Sequence, residues 1–293
     1  MTKQLLITDR LDPVVVHDFQ EVGAVLIRRP GTTEEMFVEF GDAFVDCIRH
    51  HATGTPERDT VRAEKYLSTV NKGRDSIPLH REASYLPERP DVLLFYCVRP
   101  SLVGGQTTLC DGVSLLKALP GAVRFYVEDG AGAGLVWTWT LPPQRWQAWF
   151  DTTSSTRVLE RIARLSEKLE PWEYASVEFD DDHLKGIFRT RSVIPTCFGN
   201  EVSFCNSVLA YYDRAPGPHV AKHLYGVTLS DGSPFPEDIL STIRILAERL
   251  TCEVTWQAGD ILMVDNSRWM HGRRPVTDPD RRIFVRLGRY RAP

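Results

Sequence analysis

Residues 256–286 read WQAGDILMVDNSRWMHGRRPVTDPDRRIFVR. They comprise a Gly-Asp turn, an apolar strand from Ile261 to Val264, a histidine beyond its exit (His271), a Pro/Asp loop and a second strand carrying Arg282 and Arg286. Side chains alternate along a strand, so Arg282, Phe284 and Arg286 share one face and Ile283, Val285 and Leu287 the other. If the aliphatic face packs on a neighbouring layer, two guanidinium groups are left facing a cavity suited to anions. The plainer alternative is a pair of arginines on a solvated strand face.

Upstream, IPLHREASYLPERPD (77–91) places His80 and Glu82 two residues apart, on one side of an extended segment. An apolar strand follows at Val92 to Val98, then Gly104-Gly105-Gln106-Thr107-Thr108, a turn leading into another strand. A His-x-acid pair alone carries little information. This ordered set, ending in His271 and the arginine strand, resembles the iron(II)- and 2-oxoglutarate-dependent dioxygenases of the taurine dioxygenase and clavaminate synthase type. The resemblance covers roughly Leu79 to Asp111 and Val202 to Arg289.

The chemistry explains the residue types. Two imidazoles and one carboxylate on one face of iron(II) leave neighbouring positions for the keto-acid end of 2-oxoglutarate and for O2. The remote carboxylate of the co-substrate needs a fixed cation, and guanidinium offers a two-pronged donor that ammonium lacks. The resemblance implies His80, Glu82 and His271 as metal ligands, and Arg282 with the Thr107 hydroxyl on 2-oxoglutarate. It also implies Arg286 on an acidic group of the substrate and Asn206 near that substrate. Glutamate at the middle ligand position is closer to clavaminate synthase than to taurine dioxygenase, which uses aspartate. Related halogenases carry Gly or Ala there, so Glu82 favours oxygen insertion or desaturation.

The chain has 293 residues, 42% hydrophobic and 25% charged, which suits one large domain or two small ones. A net charge of −4 offers no basic field for nucleic acid or anionic membrane. Residues 1–10 hold no apolar run of signal-peptide length, and Val92 to Val98 is too short to span a bilayer, so the expected location is cytoplasmic. Six cysteines lack any CxxC spacing, as expected of reduced thiols.

Local signals predict a helix from Asp12 to Val22, ended by Gly23, and a strand from Ala24 to Arg28. A Thr32/Glu35 capping box opens a second helix whose apolar positions continue through Val45 to Ile48. His50 and His51 at its end read as solvated, and His183, His219 and His223 as surface or core-edge residues. The polar stretch Ala52 to Lys65 reads as a loop, either a lid or an idle connection. Strands are expected near Val123 to Val127 and at Leu135 to Leu141, with Trp137 and Trp139 on a core face. Residues 144–170 read as a helical insertion, 187–209 as a hairpin turning at Gly199-Asn200, and Pro236 to Leu250 as a helix.

No linker or repeat divides the chain, and a single β-rich domain with flanking helices is expected. The resemblance implies that its core is a double-stranded β-helix, or jelly roll. The implied function is hydroxylation of an unactivated C–H bond in an amino acid or amino-acid-derived small molecule. Desaturation or cyclisation within the same class stays open, as do a cupin-like metal enzyme and a binding barrel that does not use 2-oxoglutarate.

Overall fold

The structure is a computed structural model and describes residues 4–48, 58–71, 73–213, 225–278 and 280–291. It is mainly β with flanking helices. One eight-stranded sheet runs in the order Leu6–Thr8, Ala24–Ile27, Ile261–Asp265, Val92–Arg99, Arg282–Tyr290, Leu67–Thr69, Thr60–Arg62. Val45–Ile48 also pairs with Arg282–Tyr290. A four-stranded sheet, Cys252–Val254, Thr107–Asp111, Trp269–Arg273, Ile77–His80, packs against it. Between the two lies an inner core containing Leu93, Phe95, Leu109, Trp256, Leu262, Trp269, Ile283 and Val285.

The outer face of the large sheet is also covered. Phe19 and Phe37, from the helices Val14–Val22 and Glu34–Phe44, pack with Tyr96, Met263 and Phe284. The outer face of the small sheet, through Cys110 and Met270, joins a third cluster with the helices Gly112–Ala118 and Glu237–Leu250. That cluster includes a further four-stranded sheet, Tyr174–Asp180, His183–Arg191, Gly134–Leu141, Tyr225–Leu229. Both principal sheets are therefore buried on both faces, and apolar alternation alone cannot tell inside from outside.

Several local expectations match. Asp12 Oδ1 accepts from Val14 N at 2.9 Å at the start of the first helix, and Gly23 ends it at φ 77°. Trp137 and Trp139 are core residues, and the helix at 237–250 is present. Others change. Thr33 rather than Thr32 caps the second helix, accepting from Met36 N, and that helix stops at Phe44. Val45 and Ile48 instead pair with Tyr290 and Leu287, because an open strand edge offers β-branched residues a better partner than another helical turn does.

Residues 121–128 form a helix, not a strand, with Val123 and Val127 on its buried side and an Arg124–Glu128 ion pair one turn apart. The helical reading of 144–170 resolves into Pro143–Phe150 and Ser155–Ser166, broken at Asp151 (φ 52°). The hairpin at 187–209 is shorter than expected, Ile194–Pro195 with Val202–Ser203. Within the stretch read as a loop, Thr60–Arg62 is a strand. His50, His51, His219, His223 and part of the possible lid lie outside the described residues. No helix among the described residues is long and apolar enough to cross a membrane.

Candidate active site

His80 closes the strand Ile77–His80 and pairs directly across from His271 on Trp269–Arg273. Register thus brings the two rings together, with centroids 4.2 Å apart. Glu82 follows in a turn, and its Oε2 lies 3.9 Å from His80 Nε2 and 3.6 Å from His271 Nε2. One donor atom from each of the three falls within 4.8 Å of the others.

The turn that carries Glu82 is held from several sides. Immediately after it, Ala83 adopts the left-handed region at φ 54°, which is uncommon for a residue with a Cβ. Asn266, fully buried at the exit of Ile261–Asp265, accepts from Glu82 N at 2.8 Å and donates to Glu82 O at 3.0 Å and Pro90 O at 2.8 Å. Arg81, between the two ligand candidates, donates its N–H to Asn206 O at 3.1 Å and accepts from Ser207 Oγ at 2.9 Å.

The donor set fits a divalent transition metal. His80 Nδ1 donates to Pro78 O at 3.0 Å, which fixes the tautomer and leaves the Nε2 lone pair directed at the other two groups. Burial, with help from His80 and Arg58, pushes the His271 pKa down to about 4 against the opposing pull of Glu82. His271 is therefore neutral at pH 7, as a ligand must be.

The structure does not bring the expected arginines to this trio. Parity along Arg282–Tyr290 is as the sequence implies, but the faces are reversed. Ile283, Val285 and Leu287 fill the inner core, while Phe284 packs toward the N-terminal helices. Arg286 is 1% exposed on that helical side, donating from Nη1 to Val38 O and from Nε to Lys65 O, each at 2.9 Å, and from Nη2 to Asp42. Gly41 admits it, since a Cβ there would lie 2.7 Å from Arg286 Nη1. Arg282 is exposed.

Asn206 is also committed elsewhere. Its amide donates to Ser192 O at 2.9 Å and accepts from Val208 N at 3.0 Å, which makes it a brace behind Arg81.

The residue on the inner side is Arg281, just ahead of the strand Arg282–Tyr290. It packs on Gly105, at φ 73°, where a Cβ would lie 2.9 Å from Arg281 Cδ. Burial, then the neighbouring charge of Arg273, pushes its pKa down to about 10, and its Nε is buried with no hydrogen-bond partner among the described residues. Arg273, opposite Thr107 in the small sheet, is anchored through the carbonyls of Asn71, Gly73 and Asp75, with 2.6 Å to Asn71 and 2.7 Å to Asp75. Thr107 is buried where expected, and its hydroxyl accepts from Trp256 Nε1 at 3.0 Å, leaving its own proton to donate. Arg281, Arg273 and Thr107 thus form a cationic end to the space between the sheets, with Thr107 and His271 on neighbouring strands.

A further cation stands at the histidines. Arg58 Nη2 lies 3.4 Å from Glu82 Oε2, the oxygen that faces both imidazoles.

Residues 3–287 match the model of the taurine catabolism dioxygenase TauD, TfdA family. The chain belongs to that dioxygenase family. Iron(II), 2-oxoglutarate and O2, the set implied by the sequence resemblance, are the cofactor and co-substrates of this class.

A clavaminate synthase-like protein of Arabidopsis thaliana is 28% identical over 282 residues, covering 91% of this chain and 82% of the relative. A taurine dioxygenase structure from Burkholderia xenovorans superposes with a TM-score of 0.58 at 14% identity, over 97% of this chain and 82% of its own. PvcB of Pseudomonas aeruginosa, described as an Fe, alpha-ketoglutarate dependent oxygenase from an isonitrile synthetic pathway, gives a TM-score of 0.52 at 12% identity. That match covers 96% of this chain and 79% of PvcB.

Sequence reasoning missed Asn266, Arg273, Arg281 and Arg58. Arg281 had a partial signal in its two-residue spacing from Ile283, while its place on Gly105 shows only in the fold. Arg58 had none, because it reaches Glu82 from 24 residues away.

Proposed function

We propose that this family member hydroxylates an unactivated C–H bond of an amino acid or amino-acid-derived small molecule. His80, Glu82 and His271 hold iron(II), and Arg281, supported by Thr107, binds the remote carboxylate of 2-oxoglutarate. The observation that carries this reading is the convergence of two Nε2 atoms and Glu82 Oε2, with donor atoms within 4.8 Å of one another, on the sheet that also carries Thr107 and Arg273, next to Arg281. When bound, iron(II) with 2-oxoglutarate and O2 supplies the oxidant for C–H functionalisation.

The chain's own groups do the positioning. The Pro78 carbonyl sets the His80 tautomer, Asn266 fixes the Glu82 backbone, and the walls Phe95, Leu109 and Val285 exclude water from the space between the sheets. In this reading the two facing sheets are the halves of a double-stranded β-helix. Residues 1–293 form one cytoplasmic domain, and the helices at 143–166 are an insertion. Retention of the Glu82 carboxylate favours hydroxylation over halogenation.

The test is anaerobic addition of 2-oxoglutarate to iron(II)-loaded protein, followed by air. A weak visible charge-transfer band and then succinate, rising with one member of an amino-acid pool, are expected. Folded, iron-loaded protein that gives neither would overturn the reading and favour a barrel that does not use the keto acid.

A further inference from the structure

We propose that Arg58 is the anchor for a carboxylate group of the substrate. The inference rests on the dioxygenase reading of the site and adds a chemical class to it. With Arg286 enclosed beneath the N-terminal helices and Arg282 exposed, neither arginine first expected to face the cavity stands at the histidines. Arg58 does: its side chain is 15% exposed, and its Nη2 lies 3.4 Å from Glu82 Oε2.

That single contact leaves most of the guanidinium unused. Arg58 Nε and Nη1 are buried and have no hydrogen-bond partner among the described residues. Buried polar donors are rarely left so, because each unmet donor costs free energy that an acceptor would recover. Each prong pair of a guanidinium includes one hydrogen of Nη2. Whichever of these faces Glu82, the other completes a fork with Nε or with Nη1. A planar, two-oxygen anion is the acceptor that such a fork fits.

Charge balance points the same way. A divalent ion held by two neutral imidazoles and Glu82 carries one net positive charge, which the keto-acid end of 2-oxoglutarate cancels. The remote carboxylate of the co-substrate is met by Arg281, while Arg273 beside it is already bonded to three backbone carbonyls. Once Glu82 gives its charge to the metal, Arg58 is a half-enclosed cation without a counter-ion, next to the place where the substrate must lie. A substrate carboxylate supplies that counter-ion and fixes the molecule relative to the metal.

The test uses calorimetric binding to Mn(II)-loaded protein, so that it does not depend on turnover. Protein with 2-oxoglutarate bound is titrated with L-α-amino acids and N-acyl amino acids, each paired with its carboxamide. At least one carboxylate should bind wild type, with its carboxamide weaker by on the order of tenfold or more. Arg58→Gln should weaken the carboxylate by a similar factor, Arg58→Lys by less, and neither should weaken Mn(II) or 2-oxoglutarate binding by more than about twofold.

Equal binding of acid and amide, unchanged binding in Arg58→Gln, or no carboxylate bound by protein that does bind 2-oxoglutarate would each overturn the proposal. Loss of Mn(II) or 2-oxoglutarate affinity in Arg58→Gln would also overturn it, giving Arg58 to Glu82 or to the co-substrate. Failure of the dioxygenase reading is separable. Wild type would then not bind 2-oxoglutarate, while an Arg58-dependent preference for acid over amide would persist.

Discussion

Asn266 grips Glu82 by both of its backbone polar groups, accepting from its N–H at 2.8 Å and donating to its C=O at 3.0 Å. A third bond, to Pro90 O, ties the same amide to the segment leading into the strand Val92–Arg99. The six residues that follow the strand ending at Asp265 therefore include a clamp for one candidate ligand, Asn266, and a second candidate ligand, His271.

Asn266→Ala removes all three bonds and leaves three backbone groups at a buried position. The expected destabilisation of the metal-free protein is about 2–5 kcal/mol, measured by urea unfolding. Release of the turn at Ala83 should also move the carboxylate, weakening Mn(II) or Zn(II) affinity by roughly 10–100-fold. An unchanged metal affinity would mean that the clamp serves folding alone.

Arg281 and Arg282 are neighbours with opposite expected phenotypes. Arg281→Gln removes the half-buried cation near Thr107, and the apparent 2-oxoglutarate requirement should rise by on the order of a hundredfold, the equivalent of about 2–3 kcal/mol for a charged hydrogen-bonded pair. Arg282→Gln alters an exposed side chain and should leave that requirement unchanged. Succinate formation against 2-oxoglutarate concentration distinguishes the two. The reverse pattern would restore Arg282.

What was legible in the sequence was the order of parts and the two-residue spacing of His80 and Glu82, which are properties of the chain itself. Parity along Ile283 to Leu287 was also legible. Which parity faces the cavity was not, because the large sheet is covered on both sides and the apolar face turned out to be the inner one. The end of the second helix was hidden for a related reason. Its apolar period runs on through Val45 and Ile48, and only the distant strand at Leu287 and Tyr290 decides that those residues extend. By contrast, the helix at 121–128 carried local signals in its four-residue spacings, Val123 to Val127 and Arg124 to Glu128. Asn206 and Asn266 show the remaining limit: both are buried asparagines, and only their partners separate a brace from a pocket wall.

Arg286 is expected to matter for stability and not for substrate. Truncation to Ala removes a donor from the carbonyls of Val38 and Lys65 and one of the two cations on Asp42, with an expected cost of about 2–4 kcal/mol. Affinities for metal, 2-oxoglutarate and substrate should stay at wild-type values in the folded fraction. A selective loss of substrate binding at unchanged stability would contradict the enclosed position.

Asp265 gives the fold a pH dependence opposite to that of an ordinary paired carboxylate. Burial raises its pKa from 3.8 to about 6, against the pull of Ser267, Arg81 and Arg268. Its Oδ1 accepts from Ser267 N and Oγ, while Oδ2 is buried with no partner among the described residues. Because the folded-state pKa lies above the unfolded value, the folded protein binds the proton more tightly. This contribution is fully present below about pH 4 and is lost as pH rises through about 6, a change on the order of 3 kcal/mol. Asp265→Asn keeps the Oδ1 acceptor and carries no charge. It should therefore remove this part of the pH dependence and equal or exceed wild-type stability at pH 7 to 8. Urea midpoints of the metal-free proteins across pH 4 to 8 measure the difference directly. A gap between the two proteins that does not change with pH would mean that Asp265 stays ionised throughout, with its unpaired oxygen satisfied by solvent.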